Sequence, residues 1–160
     1  MEENRYTYHF DNTLGVAEVR ELIDTLTMHD KIDLFITTEG GETVSTEVLI
    51  HYLNSRKDDI TLYFIDYVMS SGIFLLTDFK GKKVITESLD YILAHKIDRM
   101  VYMNREQPIA ISVLQEQLEV QNNEIAKKLS KIGFNKQEVK DYNLGKDVIL
   151  LRKDFNRLKI

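Results

Sequence analysis

The sequence predicts an α/β fold in which strands and helices alternate around a parallel sheet. Two apolar runs, Ile32 to Ile36 and Ile60 to Val68, are each followed within a few residues by apolar positions at helical spacing. Each passage is marked by small or polar residues, Thr37-Thr38-Glu39-Gly40-Gly41 in the first case and Ser70-Ser71-Gly72 in the second. Short connections in the order strand, helix, strand, helix favour right-handed parallel crossovers. Both turns then fall at the same edge of the sheet, where α/β folds place their ligands.

Taken in order, Tyr6 to Phe10 alternates weakly and reads as an edge strand, and Asp11, Asn12 and Thr13 offer caps for a following helix. Val16, Val19, Leu22, Ile23 and Leu26 give that helix one apolar face between Leu14 and Met28. After the strand Ile32 to Ile36 and the glycine pair, Val44, Val48, Leu49, Tyr52 and Leu53 resume helical spacing. The strand Ile60 to Val68 turns at the serines into a helix through Ile73, Phe74, Leu76 and Phe79, which Gly81 is expected to cap. Lys83 to Thr86 and Tyr91 to Ile97 read as two shorter strands, the second carrying His95. Pro108 suits the first turn of a long helix to Ile132, with Ile111, Leu114, Leu118, Ile125, Leu129 and Ile132 on one stripe and Asn122 interrupting it. Such a helix is roughly 36 Å long, the width of a small domain, so its far end must project or find a partner. A polar residue in an apolar seam can set the register of helix pairing, which makes this helix an oligomerisation candidate. A short helix from Phe134 to Tyr142, a strand from Asp147 to Leu151 and a terminal helix from Lys153 to Leu158 complete the chain.

A chain of 160 residues with 43% hydrophobic content can build one ordinary core and is too short for two, so one domain is expected. The formal charge of -5, with no basic run, gives no electrostatic reason to expect nucleic acid or an anionic membrane as partner. Without cysteine, neither disulfides nor thiol-held metals can support the fold. Met1 to Tyr8 lacks the apolar core of a signal peptide, and no apolar run approaches the ~20 residues of a membrane span, so a soluble, cytoplasmic protein is expected.

A serine at a strand-to-helix turn is exposed, and the amide after it faces the space above the sheet, as a nucleophile and half an oxyanion hole require. Ser70 fits that role, although for a Ser-Ser-Gly taken alone a helix cap is the more ordinary reading. Gly40-Gly41 lets backbone approach a ligand closely, and the Gly41 and Ser71 amides together could hold a carbonyl oxygen as it becomes an oxyanion. A general base must titrate near neutrality, and of His9, His29, His51 and His95 only His95 follows the central elements on a strand. On the residues alone it is as readily structural as catalytic.

Thr37-Thr38-Glu39-Gly40-Gly41, then Val68-Met69-Ser70-Ser71-Gly72-Ile73-Phe74-Leu75-Leu76, then Leu93-Ala94-His95 resembles the proteolytic subunit of the Clp protease, ClpP, and its relatives in the ClpP/crotonase superfamily. The intervals, 29 positions from Gly41 to Ser70 (70 minus 41) and 25 from Ser70 to His95 (95 minus 70), fit that pattern without a gap. The likeness runs from about Ile32 to Ile97. It implies a spiral core of repeated strand-helix units of ββα type over about residues 1–107. A projecting handle helix over 108–132 and a C-terminal helix-strand-helix over 133–160 would follow. It implies a serine endopeptidase with Ser70 as nucleophile, His95 as base and the Gly41 and Ser71 amides as oxyanion hole, needing no cofactor or metal. Ser71, where the family usually has methionine, is the fallback nucleophile. The implied setting is a homo-oligomer of stacked rings enclosing the serines, fed with polypeptide by a separate ATP-driven unfoldase, since no nucleotide-binding motif is present here.

The chain departs from the family in several places. ClpP places its third catalytic residue, an aspartate, two positions before a phenylalanine after the handle, and Ile132 stands there in this chain. Asn135, Glu138 and Asp98 are the candidates to orient His95 instead. Glu39 replaces the family's usual proline, the stretch from His95 to Phe134 is short and lacks the substrate-binding glycine-rich strand, and the N-terminal segment is short for an axial gate. The alternatives are therefore a catalytically impaired ClpP-like scaffold subunit and a crotonase-type enzyme acting on acyl thioesters with the same two amides.

Overall fold

The computed structural model of the chain describes residues 4–97 and 108–160, with side chains from residue 113 onward in the second stretch. Strands β1 (Tyr6–Asp11), β2 (Ile32–Thr38), β3 (Ile60–Met69) and β4 (Lys82–Ala94) alternate with helices α1 (Val16–Thr27), α2 (Thr43–Ser55) and α3 (Ile73–Asp78). After α4 (Pro108–Ile132) and α5 (Lys136–Asn143), the chain returns as β5 (Val148–Leu151). The five strands form one sheet in sequence order. The first three pairings are parallel and the last, β4 with β5, is antiparallel. The protein is thus α/β with a mostly parallel sheet, and both predicted turns sit at the C-terminal edge of its strands.

Period-two alternation sends Ile32, Leu34 and Ile36 of β2 and Ile60, Leu62 and Phe64 of β3 into one core with Val19, Leu22 and Leu26 of α1 and Leu49 and Leu53 of α2. The other side of the sheet is only half buried. There His9, Phe35 and Tyr63 stack across β1, β2 and β3 at centroid distances of 4.7 and 4.6 Å, and Tyr67 stacks on Tyr91 at 5.7 Å. Ile149 and Leu151 of β5 remain about half exposed.

Several sequence expectations need correction. The stretches Lys83 to Thr86 and Tyr91 to Ile97 belong to one strand, because the register slips from Phe64 opposite Ile85 to Asp66 opposite Leu89, which takes up the polar Glu87 and Ser88 without breaking the ladder. His95 lies just past the end of that strand. Val44 and Val48 face outward from α2, 62% and 54% exposed, while Ser45 and Thr46 are buried beside Leu49 and Leu53. Gly81 does not cap α3, which ends at an extended Phe79. The terminal helix is a 3-10 turn, Arg152–Arg157. Helix α4 has the expected span, but among its described side chains none from Val113 to Gln121 is buried. Packing starts at Asn122 and continues through Ile125, Ala126, Leu129 and Ile132. No helix among the described residues is long and apolar enough to cross a membrane.

Candidate active site

The turn after β2 is shaped by two glycines. Gly40 has φ 88°, and a Cβ there would lie 2.6 Å from Ser70 Cβ and 2.7 Å from Met69 O, so only glycine lets the β2 turn rest against the β3 turn. Gly41, at φ 155°, is clamped by Leu14, whose amide donates to Gly40 O at 2.8 Å and whose carbonyl accepts from Glu42 N at 3.1 Å. A Cβ on Gly41 would meet that Leu14 backbone at 2.8 Å. The clamp uses the Glu42 amide, and Thr38 Oγ1 takes the Gly40 amide at 3.0 Å. Neither bond uses the Gly41 amide, and Gly41 lines the adjoining cleft.

The turn after β3 is sharper. Ser70, at φ 54°, is in the left-handed region, a strained conformation for a residue with a Cβ. It opens the 3-10 turn Ser70–Gly72, whose first amides lack helical acceptors, and Ser71 lines the same cleft as Gly41. Capping does not explain Ser70: the turn is preceded by Met69 and has no side-chain cap. Instead, Ser70 Oγ lies 2.7 Å from His95 Nε2. Ser71, the fallback nucleophile, has a buried hydroxyl that accepts a hydrogen bond from Thr46 Oγ1 at 3.1 Å, whereas the contact with His95 belongs to Ser70.

His95 reaches Ser70 because β4 runs parallel to β3 and ends beside it, with Met69 opposite Leu93. On its other side, the antiparallel register sets Ala94 opposite Val148 and so carries Asp147 up to His95. Asp147 Oδ1 is 3.9 Å from His95 Nδ1, within ion-pair reach but longer than a hydrogen bond. A ring proton on Nδ1, facing Asp147, leaves Nε2 to accept the Ser70 hydroxyl proton, the arrangement a general base requires.

Asp147 was not among the predicted orienting residues, and two of those predicted are engaged elsewhere. Asn135 caps α5, accepting from Gln137 N and Glu138 N, and Glu138 closes the capping box and pairs with Arg157. Asp98 lies outside the described residues. The other three histidines do not line the cleft: His9 stacks on Phe35, His29 on Tyr6, and His51 is exposed.

The cleft has a volume of about 830 Å³. Glu42, Thr43 and Val44 form one wall, and Ile73, Phe74 and Ile125 supply apolar lining near Ser70. Behind His95, the buried Asn122 carboxamide bonds the backbone of Ile97 at both ends and accepts from the Tyr142 hydroxyl at 3.0 Å. Burial pushes the Tyr142 phenol far above its ordinary range. No group of three or more metal-ligating side chains occurs among the described residues. The arrangement can therefore deliver a hydroxyl nucleophile, accept its proton and offer two amides to a developing oxyanion. No protein-family model and no curated protein sequence matches the chain.

Proposed function

We propose that this protein is a ClpP-like serine endopeptidase acting on polypeptide through an acyl-enzyme. The observation that carries the reading is the 2.7 Å contact between Ser70 Oγ and His95 Nε2, at a strained turn whose next amide shares a cleft with Gly41. In the reaction, His95 Nε2 takes the Ser70 proton as Oγ bonds to the scissile carbonyl carbon, and the carbonyl oxygen becomes an oxyanion held by the Gly41 and Ser71 amides. Collapse breaks the C–N bond, and His95 returns its proton to the leaving amine. Water then repeats the sequence on the ester and releases the acid. The Asp147 carboxylate, 3.9 Å from Nδ1, favours the tautomer with its proton there, which makes Nε2 the base.

The same reading makes the core the ClpP-type spiral and α4 its handle, in a homo-oligomer of stacked rings served by an ATP-driven unfoldase in the cytoplasm. Two surfaces support assembly. Largely parallel sheets ordinarily have both faces covered, yet the Phe35 and Tyr63 side of this sheet is half exposed. The outer half of α4 also leaves Val113 and Val120 exposed. One observation favours a catalytically impaired scaffold instead: the 3.9 Å gap between His95 and Asp147 leaves the imidazole without an orienting hydrogen bond. Hydrolysis of a fluorogenic peptide library by the assembled protein tests the choice. Turnover abolished by Ser70→Ala and by His95→Ala supports the peptidase, and turnover indifferent to both refutes it. Sedimentation velocity of a Leu114→Glu/Leu118→Glu variant tests assembly through α4, which predicts a smaller species that remains folded.

A further inference from the structure

We infer that Asn122 is a positioning residue for His95, holding the segment that carries the base from the far side of the cleft. The inference rests on the peptidase reading of Ser70 and His95. Strand β4 ends at Ala94, and its last pairing to β5 is Ala94 with Val148, so His95, Lys96 and Ile97 leave the sheet without a ladder partner. A catalytic base on an untethered segment would sample many positions, and a displacement of about 1 Å can cost on the order of a hundredfold in rate. Asn122 supplies the missing partner. Its Oδ1 accepts from Ile97 N at 2.9 Å and its Nδ2 donates to Ile97 O at 3.2 Å, so one carboxamide meets the backbone as a neighbouring strand would.

The carboxamide is itself fixed. Tyr142, fully buried, donates its hydroxyl to the same Oδ1 at 3.0 Å, and Asn122 is buried in the seam where Ile125, Ala126 and Leu129 pack. The two Ile97 bonds settle which end of the amide is oxygen, because Ile97 N can only donate and Ile97 O can only accept, and the Tyr142 hydroxyl then donates to Oδ1. An asparagine interrupting an apolar stripe is thus accounted for within this chain. It costs α4 an apolar contact and gives His95 a fixed base of attachment two residues away.

The test uses the full-length protein labelled with ¹⁵N, with three readings: amide exchange at Ile97, the imidazole ¹⁵N shifts of His95, and the rate of fluorophosphonate addition to Ser70. Asn122→Leu keeps the side-chain volume and continues the apolar stripe, so a purely structural asparagine predicts equal or greater thermal stability with the other readings unchanged. Positioning predicts that Ile97 loses protection while core amides such as Leu34 and Phe64 keep theirs. His95 shifts, and labelling slows by about a hundredfold. Tyr142→Phe, which retains both Ile97 bonds, gives a smaller change in the same direction, and Gln121→Ala on the exposed neighbouring position gives none. If Asn122→Leu does not fold, Tyr142→Phe decides, and an unmoved His95 signal in it overturns the inference. Absence of any adduct in the wild type would refute the peptidase reading, while the Ile97 and His95 signals would still decide whether Asn122 holds the segment.

Discussion

Replacing Ser70 by glycine should remove the nucleophile and relieve strain in one step, which separates it from the usual alanine substitution. Ser70 sits at φ 54°, where a residue with a Cβ is disfavoured by roughly 1–2 kcal/mol and glycine is not. Glycine gives back roughly 0.5–1 kcal/mol through the greater freedom of its unfolded chain. Both variants lose the same hydrogen bond to His95. The difference between them is therefore about 1 kcal/mol in favour of Ser70→Gly. For a chain of 160 residues that is roughly 2–4 °C in Tm, or roughly 0.5 M in the midpoint of urea unfolding. Paired calorimetric scans and urea titrations of the two variants measure it. If Ser70→Ala proves as stable as Ser70→Gly, the turn does not hold its serine under backbone strain, and that support for an activated nucleophile is lost.

Asp147→Asn should slow fluorophosphonate labelling of Ser70 by about ten- to a thousandfold, less than the roughly 10⁴-fold seen where the corresponding hydrogen bond is fully formed; an unchanged rate would leave Asp147 without a role in orienting His95. Gly41→Ala should cost more than about 1 kcal/mol, since the new Cβ meets the Leu14 backbone at 2.8 Å and φ is positive. It should also depress labelling, by moving the amide proposed as an oxyanion donor; unfolding curves and labelling rates measured together check both effects. Tyr142, whose phenol burial holds protonated, should make stability fall in alkali. Below the unfolded value near 10 both states carry the proton and nothing changes. Above it the unfolded chain alone releases the proton, so stability drops by about 1.4 kcal/mol per pH unit until the folded value is reached. Urea unfolding at a series of alkaline pH values should show that slope reduced in Tyr142→Phe.

The two strand-turn-helix units were legible because each depends on local signals: an apolar run, a small-residue turn and a return of helical spacing. The same locality exposed Gly41, Ser70 and His95, which lie at successive strand ends of a parallel sheet. Asp147 was not legible, since its place beside His95 follows from β5 folding back antiparallel on β4 after two intervening helices. The resemblance pointed to the position before Phe134, which holds Ile132, and that residue is buried in the core. Periodicity found an apolar stripe on α2 but not which side met the sheet. Val44 and Val48 face out, while Thr46 turns inward because its hydroxyl is satisfied by Glu42 O and Ser71 Oγ. Asn122 stood out as an interruption, but its partners, Ile97 and Tyr142, are 25 and 20 residues away in sequence. A polar residue in a stripe shows that something must satisfy it, and only the tertiary arrangement shows what.

The proposed peptidase stands or falls with Ser70 as an activated nucleophile paired with His95. Intact-mass analysis of the assembled wild type, Ser70→Ala and His95→Ala after exposure to a fluorophosphonate tests it most directly. An activated Ser70 gives a single adduct on the wild type, absent from Ser70→Ala and lost or greatly slowed in His95→Ala. An assembled wild type that takes up no adduct, or an adduct that persists in Ser70→Ala, would contradict it.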